Sequence, residues 1–167
     1  MSESDSLSRL ILSKLEGQIE QTEHLLTLIP EDKLEWRPVP GSMRICDLLG
    51  HLLDCLAGFC ATLYAIDPRR LAHFEQLRNL PVNHRCDVKE ASERVRDYAA
   101  SIREGFSILA DEDLTRHIPT IFSPEGEAVM TILMDNFEHF VNHKYQLFFY
   151  LKLLGVDVGT GDLYSLR

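Results

Sequence analysis

The sequence predicts an all-α fold, a four-helix bundle with long crossover connections that forms a single domain over residues 1–167. Apolar residues recur at three- and four-residue steps through four long segments, which is the pattern of helices with one buried face each. Two of the connections between these segments are long enough to cross an end of a bundle. A chain of 167 residues is also long enough to build one sizeable hydrophobic core.

The first predicted helix runs from a cap at Ser4 or Ser6 to about Ile29. Pro30 and the two acidic residues after it end this helix. The segment 33–42 contains further prolines, so we expect an extended linker there. The apolar face of the helix comprises Leu7, Leu10, Ile11, Leu15, Ile19, Thr22, Leu25, Leu26 and Ile29.

The second predicted helix follows a cap at Ser42, spans about residues 43–66 and ends before Asp67 and Pro68. His51 belongs to its inward face, because it shares that face with apolar residues at helical spacing. The members of this face are Leu48, His51, Leu52, Cys55, Phe59, Leu63 and Ile66.

The connection 67–86 is expected to cross one end of the bundle and to contain a short helix over about residues 69–77. The third predicted helix begins at Asp87, which forms a capping-box-like pair with Glu90, and ends near Asp111.

The last part of the chain holds the longest predicted helix. Residues 115–122 alternate weakly in polarity, which favours a short hairpin or an extended loop. The run from about 127 to 155 has no proline and no internal glycine, so we expect one helix of about 28 residues there. The tail, 156–167, is expected to be extended or frayed.

Composition argues against several classes of protein. The formal net charge of −9 at pH 7 argues against nucleic acid and anionic membranes as partners. No unbroken apolar run approaches the 18 or more residues expected of a membrane span, and the acidic N-terminus does not resemble a signal peptide. The four cysteines contain no CxxC pair. We therefore expect reduced thiols in a cytoplasmic protein.

A narrow polar stripe lies on the fourth predicted helix. His139 and His143 are four residues apart and therefore lie one turn apart on one face. Asp135, Gln146 and Tyr150 fall within about 40° of His139 around the helix. Polar groups on an apolar helix need partners, because burying each one unpaired costs about 1–3 kcal/mol. A metal ion is one such partner.

His51 can supply a third ligand if the second and fourth helices are neighbours. Three imidazoles with one open coordination position are typical of a catalytic mononuclear site. The sequence therefore predicts a divalent transition metal held by His51, His139 and His143. Zinc and nickel are the first choices, and iron, cobalt and manganese are compatible with the same ligands.

Two segments of the sequence contain motifs that are typical of a known protein family. The first is IPEDKLEWRPVPGSMRI at 29–45 followed by DLLGHL at 47–52, and the second is HFVNHKYQL at 139–147 followed by YLKLLGV at 150–156. Together they resemble the DinB/YfiT-like metalloenzyme family. That family often has a second histidine where Asn142 stands here and a glycine where Tyr145 stands.

The resemblance implies a four-helix bundle with a long crossover and metal ligands that match His51, His139 and His143. It also implies group transfer or rearrangement on small molecules with a low-molecular-weight thiol, and a homodimer. The aromatic residues of 137–148 favour a two-fold dimer independently, because they give the fourth helix a second apolar flank.

Several residues near the predicted centre have open roles. Cys55 is either a fourth ligand or a small core residue, and Gln146, Tyr150 and Asp135 either orient the imidazoles or make ordinary buried hydrogen bonds. Residues expected to be solvated, or to lie on the surface or in loops, are Asp54, Glu138, His24, His73, His84 and His117.

Three hypotheses follow. The first is an enzyme in which the metal activates a water or a thiol, giving a hydrolase or a thiol-dependent transferase that acts on a small electrophile. The second is a non-catalytic bundle that binds a metal or a ligand without turnover. The third is that the histidines only hydrogen-bond to each other.

Overall fold

The structure is a computed structural model that describes residues 6–78, 80–120 and 123–164. It confirms the all-α bundle, with one small hairpin added. Its elements are α1 (Leu7–Thr27), α2 (Ile45–Ile66), α3 (Glu75–Arg78), α4 (Val88–Ile108), β1 (His117–Ile118), β2 (Glu127–Ala128), α5 (Val129–Leu153) and α6 (Thr160–Leu163).

Side-chain caps start two of the long helices where the sequence predicts them. The Ser6 hydroxyl accepts the N–H of Arg9 at the start of α1, and Asp87 accepts the N–H of Glu90 at the start of α4. Such caps satisfy N–H groups that have no partner within the helix. Ser4, the other predicted cap of α1, lies outside the described residues.

The predicted cap of α2 is wrong. The Ser42 hydroxyl donates to the carbonyl of Val39 at 2.8 Å and so closes a turn in the linker. The helix begins two residues later, where the N–H of Arg44 donates to the carboxylate of Asp47 at 3.3 Å. A carboxylate in the first turn also complements the positive end of the helix dipole.

The longest helix is shorter than predicted by a few residues. Glu127 and Ala128 form β2 and pair antiparallel with β1, so of the two alternatives for 115–122 a hairpin is present, but its second strand lies at the predicted start of the helix. The helix α5 begins after it with 25 residues. Gly155 ends the helix in the left-handed conformation, with a φ of +80°. Ile121 and Phe122, part of the alternating segment, lie outside the described residues.

The four long helices form a ring in which α1 and α2 each pack against both α4 and α5. The connections that cross the bundle are therefore 28–44, between α1 and α2, and 109–128, between α4 and α5. The prediction that 67–86 crosses an end is wrong, because that connection joins the neighbours α2 and α4.

The packing of α2 against α5 positions the three histidines that are predicted to bind a metal. The two helices approach closely at Gly58, where an added Cβ would lie 2.9 Å from the Oδ1 atom of Asn136. Phe59 on α2 and Phe140 on α5 are both fully buried and belong to the same core. The rigid contact of these two helices fixes the spacing between their polar residues.

Among the described residues, one helix, α2, is long and apolar enough to cross a membrane by length and composition. In the structure 56% of its most apolar window is buried inside the protein. This is the burial expected of a core helix, which is hydrophobic because other helices surround it.

Candidate metal centre

The structure brings the three predicted histidines together. The Nε2 atom of His51 on α2 lies 3.1 Å from the Nε2 atom of His139 on α5. One ring nitrogen from each of His51, His139 and His143 lies within 4.8 Å of the other two. The ring centroids are 4.4–5.0 Å apart. Two separate helices therefore present three imidazoles to one common point.

Gln146 supports His143 from within α5. Its Oε1 atom lies 2.8 Å from the Nδ1 atom of His143, and its Nε2 atom donates to the Tyr150 hydroxyl at 2.9 Å. The Tyr150 hydroxyl in turn donates to the carbonyl of Met43 at 3.2 Å, and the Tyr150 ring packs edge-on against Trp36. The roles proposed for Gln146 and Tyr150 as orienting groups thus have the required geometry.

His51 is supported from outside its own helix. Its Nδ1 atom lies 3.2 Å from the Oδ1 atom of Asn83, in the loop before α4. The backbone N–H of Asn83 donates to the carboxylate of Asp54 at 2.6 Å, and that carboxylate lies 3.8 Å from Nδ1 of His51. The prediction that Asp54 is solvated is wrong, because its side chain is only 16% exposed and belongs to this network.

The environment of His139 and His143 favours the neutral form of these two imidazoles. Desolvation, and then the neighbouring His51 ring, lower the pKa of His139. Desolvation also lowers the pKa of His143, and the hydrogen bond to Gln146 partly opposes this. A neutral imidazole keeps one nitrogen lone pair free to bind a metal ion.

The donor set fits a transition metal. Two nitrogens bound at 2.0–2.1 Å to one ion, at angles of about 90–110°, lie about 2.9–3.4 Å apart. The 3.1 Å separation of the His51 and His139 Nε2 atoms falls in this range. Amide oxygens beside Nδ1 of His51 and of His143 leave Nε2 of each ring for a ligand bond. That a metal binds here stays a prediction.

Comparison with known proteins identifies the family. The sequence model of the DinB superfamily matches residues 14–146, most of the chain. The chain belongs to the DinB superfamily. No curated protein matches it.

Three solved structures of bacterial proteins have a similar fold. The bundle is similar to the DinB-like protein YjoA of Bacillus subtilis, with a TM-score of 0.67 and 20% identity over 87% of this chain and 92% of that one. It is also similar to a DinB-family candidate from Exiguobacterium sibiricum 255-15, with a TM-score of 0.65 and 18% identity over 94% and 97% of the two chains. A conserved protein of Enterococcus faecalis has a TM-score of 0.61 and 15% identity over 86% and 94%. At these identities the similarity shows the fold.

Cys55 is not part of the histidine group of this DinB-superfamily chain. Within the described residues the group that could hold a metal comprises the three histidines alone. Cys55 is buried in the core, and desolvation raises the pKa of its thiol to about 12. Its alternative role as a small core residue is therefore the one the structure supports.

The remaining predicted residues lie away from the centre. Asp135 and Glu138 are exposed on α5, and the hydrogen bonds of the described residues link neither of them to a histidine. His24 and His73 are about half exposed and face Asp162 and Glu104. His117 is exposed on β1.

His84 differs from the other three histidines outside the centre. It is in a loop, as predicted, but its side chain is only 21% exposed. It contacts the carboxylate of Glu90 at 2.9 Å and the guanidinium of Arg94 at 2.8 Å, so it helps to join this loop to α4.

Proposed function

We propose that this protein is a metal-dependent enzyme that holds a divalent transition metal with His51, His139 and His143, zinc or nickel in preference to iron, cobalt or manganese. The observation that carries this proposal is the convergence of three ring nitrogens from α2 and α5. The two amide oxygens beside Nδ1 of His51 and His143 support it further, because they set the tautomer that a ligand requires.

The proposed reaction is thiol-dependent group transfer to a small electrophile, or hydrolysis when water takes the place of the thiol. A bound divalent metal lowers the pKa of a coordinated water or thiol and so supplies a nucleophile near neutral pH. The chain contributes neutral ligands, which leave the positive charge of the ion uncompensated. His139 is exposed, so a small molecule can reach the centre from this side.

A cavity whose lining includes Asp54, a residue of the His51 hydrogen-bond network, is a candidate site for the body of the substrate. It has a volume of about 320 Å³, lies along α2 and begins at Asp54, one turn beyond His51. Its polar groups are the Asp54 carboxylate and Tyr64, whose hydroxyl donates to Glu75. This lining favours an uncharged or cationic small molecule over an anion. The remaining walls comprise Ala57, Gly58, Cys60, Ala61, Phe74, Leu77 and Val82.

The proposal includes a homodimer in the cytoplasm. Phe140 and Phe148 are buried in the core, whereas Tyr145, Phe149 and Leu153 form an exposed apolar stripe on α5. A stripe of this kind is suited to a two-fold contact between copies of the chain. The net charge of −9 supports a small-molecule substrate rather than nucleic acid or a membrane.

The alternative is a non-catalytic bundle that binds a metal or a ligand without turnover. One observation favours it. The polar groups nearest the histidines are committed to hydrogen bonds within the protein, Asp54 to the N–H of Asn83 and Gln146 to His143 and Tyr150. The Asp54 carboxylate thus holds a loop in place, and the Gln146 side chain is an amide, which does not act as a general acid or base.

Elemental analysis of freshly purified protein tests the metal site. We expect about one transition-metal ion per chain in the wild type and far less in His143→Ala. His117→Ala is the matched control, since it removes an exposed histidine on β1. Equal metal content in wild type and His143→Ala would contradict the site. Turnover of small electrophiles by the metal-loaded protein with added thiols then separates the enzyme from the non-catalytic alternative.

A further inference from the structure

The loop that carries Asn83 is held against α2 at two points on either side of His51. One point is the hydrogen bond from the N–H of Asn83 to Asp54, three residues after His51. The other is Gly50, one residue before His51, where an added Cβ would lie 1.7 Å from the carbonyl oxygen of His84. The loop backbone therefore rests directly on the turn of α2 that bears the histidine.

Asn83 needs this attachment to contact the ring. Its φ is +48°, in the left-handed region, which costs free energy for any residue other than glycine but which asparagine tolerates best. Its side chain is exposed, so the solvent competes for the same hydrogen bonds. The hydrogen bond of 2.6 Å from the backbone N–H of the same residue to Asp54 stabilises this conformation.

Asp54 does not hydrogen-bond to the ring directly. Its nearest carboxylate oxygen is 3.8 Å from Nδ1 of His51, whereas the Asn83 Oδ1 atom is 3.2 Å from it. The hydrogen bond by which Asp54 can act on the tautomer of the ring is therefore the one that Asn83 makes. The tautomer of a histidine is set by the hydrogen bond that its other nitrogen makes.

We propose that Asp54 is a positioning residue for the histidine centre. By fixing the backbone of Asn83, it keeps the Asn83 side-chain oxygen on the Nδ1–H of His51 and the Nε2 lone pair of His51 directed at His139 and His143. This inference rests on the proposed metal site for its purpose. Its mechanism rests on the hydrogen bonds of Asn83 with His51 and Asp54.

Two measurements on five variants test it, with thermal unfolding as a check that each variant folds. Zinc affinity is measured by calorimetry, and the His51 tautomer is measured by nitrogen-15 NMR in metal-free protein. We expect Asp54→Ala to weaken zinc binding by about 10–100-fold, the usual effect of losing an outer partner of a metal ligand. We also expect it to shift His51 towards the Nε2–H form.

The other variants distinguish an effect of the Asn83 position from an effect of the Asp54 charge. Asp54→Asn retains an oxygen that can accept the Asn83 N–H, so it should rescue both readouts. Asn83→Gly keeps the left-handed backbone and loses Oδ1, so it should match Asp54→Ala, and the double variant Asp54→Ala/Asn83→Gly should lose no more than either single variant. Asp135→Ala is the control, because it removes one exposed charge from α5 without contacting His51.

The results can overturn the inference in three ways. Additive losses in the double variant would show that Asp54 acts independently of Asn83. If Asp54→Asn or Asp135→Ala lost as much zinc affinity as Asp54→Ala, the negative charge and not the position of Asn83 would explain the effect. An unchanged His51 tautomer in Asp54→Ala would show that Asp54 does not position the ring. Wild-type protein that binds no metal would overturn the proposed function, and the metal-free tautomer would still test Asp54.

Discussion

On α5, His143 takes its hydrogen-bond partner from its own helix, where Gln146 lies three residues further along. On α2, His51 takes its partner from a loop, where Asn83 lies 32 residues further along. Both partners are side-chain amide oxygens, and both are placed on Nδ1 of the ring. The α2 and α5 sides of the centre thus use the same kind of hydrogen-bond acceptor. They differ in how the chain brings that acceptor to the histidine.

The difference has an energetic consequence. Residues three apart on a helix become neighbours as soon as the helix forms. A contact across a long loop also requires the entropy of closing that loop and of ordering its residues. We therefore expect the His51 side of the centre to be the easier to disturb, and the loop 80–86 to be the part whose displacement affects the histidines most.

Gly50→Ala should have the largest effect, because it displaces the loop without removing any polar group. The new Cβ would lie 1.7 Å from the His84 carbonyl oxygen, so the backbone of the loop must move. We expect the free energy of unfolding to fall by about 3 kcal/mol, at the upper end of overpacking effects. Urea denaturation gives this quantity, and zinc calorimetry shows whether His51 loses its position.

Gly58→Ala is the matched control on the same helix. Its Cβ would lie 2.9 Å from the side chain of Asn136, which can rotate away. The better helix propensity of alanine, worth about 1 kcal/mol, offsets part of that cost. If Gly50→Ala unfolds at the same urea concentration as Gly58→Ala, the loop is not held at Gly50.

Gln146→Ala tests the helical side of the comparison. It removes the acceptor from Nδ1 of His143, so we expect zinc affinity to fall by about 10–100-fold, equivalent to about 1.4–2.7 kcal/mol. Asn142→Ala removes an exposed amide from the same helix and should leave the affinity unchanged. A loss in Asn142→Ala equal to that in Gln146→Ala would mean that the amide of Gln146 has no special role.

Tyr150→Phe should have a smaller effect, because it acts one step further from the ring. The hydroxyl accepts from Gln146 and donates to the carbonyl of Met43, while the ring continues to pack on Trp36. We expect a loss of about 1 kcal/mol in the free energy of unfolding and a loss of zinc affinity below that of Gln146→Ala. Tyr145→Phe, at a 52% exposed position, is the control and should be neutral.

The pH dependence of the metal-free protein should show the smallest effect. The pKa values of His139 and His143 are lowered in the folded chain, so the unfolded chain binds more protons as the pH falls. Their contribution to stability is complete above the ordinary histidine pKa of about 6.5 and decreases as the pH falls through it. Urea denaturation from about pH 7.5 to pH 5 measures this decrease. In His143→Ala the free energy of unfolding should fall less steeply over that pH range. An equally steep fall would show that the pKa of His143 is not lowered in the folded chain.

Helical periodicity makes the α5 side of the histidine centre predictable from the sequence. His139, His143 and Gln146 belong to one helix, so their spacing alone places them together. His51 stands out in the sequence because it interrupts an apolar face. Its convergence with the pair requires α2 and α5 to be neighbours, as they are in the structure. The fold could be predicted for the same reason, since periodicity marks every long helix.

The His51 side of the centre depends on contacts between α2 and a loop, and helical periodicity does not predict such contacts. Asp54 faces Asn83 only because the loop folds back onto α2, and spacing within α2 cannot show what covers that turn. The prediction for 67–86 fails for a similar reason, because the length of a connection does not reveal which helices are neighbours. The only signals for the loop contact are Gly50, which leaves space on a buried turn, and an asparagine suited to left-handed backbone.

The burial of the thiols has a consequence for a protein proposed to handle electrophiles. Desolvation raises the pKa of Cys55, Cys60 and Cys86 to about 12, and it also raises the pKa of Cys46. All four side chains are at most 5% exposed. Since alkylation requires a thiolate that the reagent can reach, the native chain should resist modification by reactive small molecules, its own substrate included. Such a chain can work repeatedly in the presence of compounds that would inactivate a protein with cysteines on its surface.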